Sequence, residues 1–441
     1  MGKRNTLVLC GRYTVYWDDL YHTLYYFNTP AEDQITSVID RVLAHLEAAH
    51  QDLIHHRLYW AWNRVSEAKV LRNTQAQQCV PELMVTMTFG RQTKASDPRD
   101  KIYGLLGLID ISISGQIQPD YNLPLSTVYQ TFATTCISTT NSLEILSQCH
   151  GYMDGVWSAD WESVQSTMPS WSPDWSWDNH RHLCSPLEPS YRASGSSTTS
   201  ALQFLGEDGG LLVCTGLKIG PVEGLGKGYY WPLDAMHVRG EDRRQWSAIT
   251  EDTVWNPSYN IMHQSKSLNN PYHDENGIKD ALWRSLVGNR DLSGGPAPDS
   301  YKCLLNCRPL IDAPLSYDHV FMKQNAGFMV SGKRFDYYFP RSSTLLDDTG
   351  ILEHALDRMQ RFAQFRRLMR TSNGFVGLAP DLTQKGDIVS IILGCSCPIL
   401  LRPHGEHYKV VSSAYVHGIM DGEAMDWLGK EGWELENIVL C

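Results

Sequence analysis

The 441-residue sequence predicts an α+β protein, with a mainly helical N-terminal half packed with a small antiparallel β-barrel-like module at the C-terminus. Apolar residues recur at three- and four-residue spacing through the first third, which is a helical period. From about residue 374 onward, short apolar runs alternate with Gly, Pro and charged turns, as in a curled antiparallel sheet. The composition, 42% hydrophobic and 20% charged, excludes a mainly disordered chain, and the length suits two or three packed units.

Region 1–184 is expected to be mainly helical. Ile35, Val38, Ile39, Val42, Leu43 and Leu46 lay one stripe along a helix over 32–49. A second helix is expected at about 53–71 and a third at 81–90. In SDPRDKIYGLLGL, Asp97 can cap a helix whose first position is Pro98, and Gly107 ends the run. Pro119-Asp120-Tyr121 is a turn before a helix from Leu125 to about Ser138, with Val128, Tyr129, Phe132 and Ala133 inward. LEIL at 143–146 reads as a strand or a helix end. The prolines of MPSWSPDWSW forbid a regular helix at 168–177, so this segment is extended, with its Trp residues covering a core edge.

Residues 185–205, rich in Ser, Pro and Thr, are the expected linker. Region 206–441 follows as an α+β unit, with a strand at 211–219, a helix at 278–287 and an amphipathic helix at 353–370. Strands are expected at 374–378, 387–393, 398–401, 408–417 and 435–440.

Thirty-eight Lys and Arg against 49 Asp and Glu give a net charge of -11, which repels phosphate backbones and speaks against nucleic acid as a partner. No apolar run is long enough to span a bilayer, and the first residues lack a signal-peptide core, so no membrane role and a cytoplasmic location are expected. The 11 cysteines are odd in number and widely spread, which fits reduced thiols better than a disulfide framework. Cys395 and Cys397 precede His404 and His407, but no second pair stands at zinc-site spacing, and no metal is expected.

The strongest polar cluster is His417, Asp421 and Glu423 in YVHGIMDGEA. If the protein is an enzyme, these three are the catalytic candidates, because a turn can bring an imidazole and two carboxylates together for acid–base work. The alternative is a strand end whose carboxylates cap or face water. Trp171, Asp174 and Trp175 are candidates to stack a planar ligand, and Arg99 to bind an anion at a helix start. Core sealing by the Trp pair and pairing of Arg99 with a nearby carboxylate explain the same residues structurally. No nucleotide, flavin or hydrolase signature occurs, so no cofactor is expected.

Five phrases in order, SDPRDKIYGLLGL, PDY, LEIL, PSWSPDWS and the long stretch from GFVGLAPDL to HGIMDGEA, resemble fungal heterokaryon-incompatibility (HET) domain proteins. The resemblance covers most of the chain and is weakest at 186–345. The HET domain's own motifs, similar to ALSYxWG, a Leu-Trp-Ile-Asp stretch and CIxQ, have no counterparts here, so the resemblance implies the region downstream of that domain. The NAD cleavage linked to TIR-like HET domains is therefore not carried over. The resemblance implies a non-enzymatic recognition or regulatory protein whose partner is a separate HET-domain chain. The alternative is a cofactor-independent enzyme of fungal secondary metabolism acting on a small molecule by cyclisation, isomerisation or dehydration.

Overall fold

The computed structural model describes residues 7–10, 13–28, 83–93, 95–150, 168–176, 191–197, 202–206, 208–228, 271–306, 321–322, 324–339, 350–430 and 432–441. The chain divides into two compact units, Met1–Gly115 and Gln116–Cys441. The helices expected at 32–49 and 53–71 lie outside the described residues.

In the first unit, β1 (Leu7–Cys10) and β2 (Tyr13–Tyr16) form an antiparallel pair that runs into α1 (Trp17–Asn28). Then come α2 (Leu83–Gln92), α3 (Asp100–Tyr103) and α4 (Ile111–Ser114). The SDPRDK phrase binds itself together. Asp97 Oδ1 accepts the Arg99 N–H at 2.9 Å, and Asp97 Oδ2 holds the Arg99 guanidinium at 2.8 Å. Residues 97–101 bond in the tighter i to i+3 pattern, so α3 begins two residues later than Pro98. Lys101, only 7% exposed, points its ammonium at the carbonyls of Gly90 (3.2 Å), Arg91 (2.9 Å) and Thr93. Carbonyls at the end of α2 have no partner within the helix, and a cation there also meets the negative end of the helix dipole.

The second unit opens with α5 (Leu125–Thr140), which buries Val128, Tyr129, Phe132, Ala133, Cys136 and Ile137 as the spacing predicted. Asn141, left-handed at φ 49°, ends it. In LEIL, Leu143 precedes and the other three residues begin a 3-10 turn, Glu144–Gln148. Next come β3 (Gln203–Leu205) and β4 (Leu211–Gly228), the latter nine residues longer than expected. Then come helix α6 (Glu275–Val287) and the short antiparallel pair β5 (Met329–Val330) and β6 (Lys333–Arg334). Helix α7 (Ile351–Ala363) leads into β7 (Arg366–Thr371), β8 (Val376–Pro380), β9 (Ile388–Ile392), β10 (Ile399–His404), β11 (His407–Ser413), β12 (Tyr415–Val416) and β13 (Glu436–Leu440).

Strand pairing explains the length of β4. Its residues 212–216 pair with β13, and 216–221 pair with β9. From β13 the ladder passes to β11, β10 and back to β9, so five strands form a closed circuit. The far end of β4, from Val222, pairs instead with β7, which continues to β8 and β12. Gly216 sits where the circuit is tightest. A Cβ there would lie 2.9 Å from both Ile392 Cδ1 on β9 and Ile438 Cδ1 on β13, the strands flanking β4. Side chains from both neighbours closing over one residue mark the concave face of the closed sheet. One apolar cluster, with Leu217, Val389, Ile391, Leu400 and Val411, belongs to these strands. Another gathers Leu282, Trp283 and Leu286 of α6 with Met359 and Phe362 of α7 over Leu368, Val376 and Leu378.

Two expectations are corrected. The helix expected at 353–370 stops at Ala363, and Arg366–Thr371 is a strand. Phe365, left-handed at φ 58°, turns the chain between them. Because β7 is hydrogen-bonded on both sides and buried on both faces, its residues lack the polar alternation that marks a half-exposed strand, and they extend the apolar helical spacing instead. The described part of the expected linker is also packed. Ala193 donates its N–H to Ser396 O at 2.9 Å, Arg192 to Met420 O at 2.8 Å, and Ser194 Oγ to Cys395 O at 2.9 Å. The Gly394–Cys397 loop receiving this strap is further held by Glu144, whose carboxylate accepts Ser396 N–H at 2.7 Å and Ser396 Oγ at 2.6 Å. Cys397 is disulfide-bonded, contrary to the expectation of reduced thiols, whereas Cys136, Cys149, Cys214, Cys303, Cys395 and Cys441 form no disulfide.

Candidate functional site

A cluster of polar side chains forms around His417, just past β12. Tyr415 lies on β12 and His417 in the turn that follows it. Tyr415 Oη lies 3.1 Å from His417 Nδ1. The imidazole has the Tyr272 ring at 5.8 Å and 36°, and the Tyr415 ring at 6.4 Å and 32°. Its backbone is fixed as well: His417 N–H donates to Val376 O at 3.0 Å, and Tyr272 Oη donates to His417 O at 3.0 Å while accepting Val376 N–H. Gly377 permits this approach, since a Cβ there would fall 1.9 Å from Tyr415 O.

Helix α6 supplies the charges. Asp280 accepts from Trp283 Nε1 at 2.9 Å and pairs with Arg284 at 2.8 Å, while Arg284 also reaches Asn289 and Asp299. Asp274 starts the helix by accepting the Gly277 N–H at 2.7 Å, and left-handed Gly288 ends it. Burial pushes His417 down to about 4, with the Asp280 carboxylate opposing that shift and Arg284 reinforcing it. Burial likewise drives the Tyr415 and Tyr272 hydroxyls upward, so both keep their protons. At neutral pH the cluster is an uncharged imidazole among protonated phenols, beside one carboxylate–guanidinium pair.

The structure separates the three residues of the acid–base candidate by partner. His417 bonds to Tyr415, Asp421 pairs with Arg290 at 3.5 Å, and Glu423 accepts the Asp421 N–H at 2.8 Å. Among the described residues, no hydrogen bond joins His417 to either carboxylate. Arg290 also stacks on Tyr191, whose hydroxyl donates to Gly288 O at 2.6 Å. Tyr415 and Tyr272 were legible by their nearness to His417 in the fold alone, although the i, i+2 spacing of Tyr415 was a signal in the sequence. Asp280, Arg284 and Arg290 are brought in by tertiary packing that no local pattern announces.

The Trp candidates are sealed. Trp171 and Trp175 are both 0% exposed. Trp171 Nε1 donates to Gly210 O at 3.0 Å, and Trp175 meets the rings of Tyr129 and Phe132 edge-on at 5.3 and 5.2 Å. Asp174 turns back to its own segment, accepting Ser176 N–H and Oγ at 2.9 and 2.6 Å. Arg99, in the first unit, is spent on Asp97. Among the described residues, no group of three or more His, Cys, Asp or Glu is placed to hold a metal ion, and no helix is long and apolar enough to cross a membrane.

Residues 346–435 match the Het-6 beta-barrel domain, a span that holds α7 and β7 to β12 while β4 and β13 fall outside it. The chain is also similar to heterokaryon incompatibility protein 6, OR allele, of Neurospora crassa, at 24% identity over 379 residues, covering 77% of this chain and 51% of that protein. It thus spans about half the length of the curated relative it matches. No solved structure matches. A barrel-domain match over β7 to β12 and a likeness that runs through most of the sequence thus make this chain similar to proteins of the heterokaryon-incompatibility type.

Proposed function

We propose that this chain is a non-enzymatic recognition or regulatory module of heterokaryon incompatibility, acting through a protein partner, a separate HET-domain chain. One observation supports this most directly: several polar side chains of the family-like phrases are spent on partners within the fold. Arg99 is held by Asp97, Lys101 by helix-end carbonyls, Glu144 by Ser396, Trp171 by Gly210 and Asp387 by Arg402. Phrases used in this way specify a scaffold, and recognition is then the work of the surface the scaffold presents. The test is co-sedimentation of the purified chain with a separately expressed HET-domain chain. A complex at micromolar concentrations is the expected result. Two independent sedimenting species overturn the reading.

A second reading, a cofactor-independent enzyme of secondary metabolism, is favoured by one feature, the buried Tyr415–His417 pair beside Asp280. A saturable thermal shift with a component of a fungal metabolite extract, followed by turnover of that component, is its expected signature. The absence of any shift sinks it.

A further inference from the structure

The orientation of the His417–Tyr415 hydrogen bond can be worked out from what each group has to satisfy. A phenol can donate or accept, and a neutral imidazole carries one N–H and one acceptor nitrogen, so two arrangements exist. In one, Nδ1–H donates to Tyr415 Oη. The Tyr415 hydroxyl hydrogen is then left over, inside a side chain only 1% exposed whose sole hydrogen-bond partner among the described residues is His417. A buried donor without an acceptor costs about 1–3 kcal/mol. In the other, Tyr415 Oη–H donates to a bare Nδ1, and the spare proton sits on Nε2 of His417, a partly exposed residue where water can meet it, rather than on the buried phenol.

We infer that Tyr415 is a positioning residue that locks His417 in the tautomer carrying its proton on Nε2, making His417 a hydrogen-bond donor to an uncharged carbonyl oxygen rather than a general base. The negative charge of Asp280 near the ring disfavours an anionic ligand, and the uncharged Tyr272 and Tyr415 rings, centred 5.8 and 6.4 Å from the imidazole, give it surroundings that suit a neutral one. Arg284 on the same helix is committed to Asp280, Asn289 and Asp299, and Arg290 to Asp421, so neither offers a free cation to such a ligand. The tautomer stands independently of the enzyme reading. The ligand class refines it.

Long-range ¹H–¹⁵N correlation of the full chain, labelled at histidine, reads the tautomer directly. The expected spectrum shows His417 with Nδ1 as a bare, pyridine-type nitrogen and Nε2 as a pyrrole-type N–H, unchanged from pH 8 to 5. Tyr415→Phe keeps the ring volume and removes the hydroxyl, and it should bring in the Nδ1–H form and move both nitrogens. A wild-type spectrum with the proton on Nδ1, or a fully protonated ring at pH 6, overturns the inference without any need for the variant. For the ligand, N,N-dimethylacetamide, which only accepts, should shift Nε2 saturably in the wild type, whereas acetate should not. Equal shifts with both, or none with either, overturn the ligand class while leaving the tautomer measurement standing. Turnover of a metabolite without the Nε2–H form would keep the enzyme reading and sink this one.

Discussion

Asp387 and Arg402 form a two-pronged ion pair at neighbouring ends of β9 and β10, with Nε 2.8 Å from Oδ1 and an η nitrogen 2.9 Å from Oδ2. Asp387 is 1% exposed, and it also accepts the Gln384 N–H at 2.8 Å, while Arg402 donates to Leu382 O at 2.9 Å. Burial outweighs the guanidinium and raises the Asp387 carboxyl above its ordinary value. Removing one member leaves the other charged and unpaired, so Asp387→Ala should cost about 3–5 kcal/mol in urea unfolding. Arg402→Met combined with Asp387→Leu should recover most of that loss. A double variant no better than the single one would show that the pair is more than mutual neutralisation.

His417 gives the protein an acid limb. Its folded value of about 4 lies below the unfolded 6.5, so between these pH values the unfolded chain binds the proton and the folded one does not. Stability is therefore full above pH 6.5 and falls as the pH drops towards 4, by about 3 kcal/mol at about 1.4 kcal/mol per pH unit. His417→Gln should flatten unfolding free energy over that window. A slope identical to the wild type would place the acid sensitivity elsewhere.

Gly216→Ala tests the closure of the five-strand circuit. The added methyl would meet Ile391 O at 2.8 Å as well as the two isoleucine tips. Overpacking of this kind costs about 1–3 kcal/mol. Trimming Ile438 to Val in the same chain should restore part of it, because one of the two colliding methyls is then gone. Differential scanning calorimetry reads both.

The two buried tryptophans should respond differently to Phe. Each substitution leaves a similar void, but Trp171→Phe also strands the Gly210 carbonyl, whereas Trp175 Nε1 has no hydrogen-bond partner to lose. Trp171→Phe should be the more costly by about 1 kcal/mol. Equal losses would mean the Gly210 bond contributes nothing net.

Lys101→Met keeps the aliphatic stem and removes the cation from the end of α2. Losing charge-assisted bonds to buried carbonyls should cost about 1.5–3 kcal/mol, seen as earlier hydrogen exchange at residues 90–93. Lys101→Arg should not rescue it, because a planar guanidinium cannot converge on three carbonyls as an ammonium can.

What could be read from the sequence follows from how local each cause is. Helix α5 and strands β9 and β13 were legible because their apolar spacing and flanking turn residues act over a few neighbours. The end of α7 was not, because Arg366–Thr371 is a strand only by virtue of β4 and β8 on either side. The run from Gly220 to Gly228, beyond the expected strand at 211–219, was missed for a similar reason: its glycines carry no strand pattern of their own, and β9 and β7 supply the pairing. At the candidate site, His417 was visible as a polar residue among apolar ones. Its pairing with Tyr415 rather than with Asp421 or Glu423 depends on Arg290 drawing Asp421 away, a contact across more than a hundred residues of chain.

The long strand β4 also sets a timetable for biosynthesis. Apart from the three-residue β3, every strand that pairs with it, β7, β9 and β13, is encoded downstream and leaves the ribosome after it. From the completion of β4 at residue 228 until β7 emerges at residue 366, most of its edge has no mate, and the ring cannot shut until β13 is delivered. A stop codon before residue 436 should therefore yield chaperone-bound or aggregated polypeptide rather than a shortened but working product.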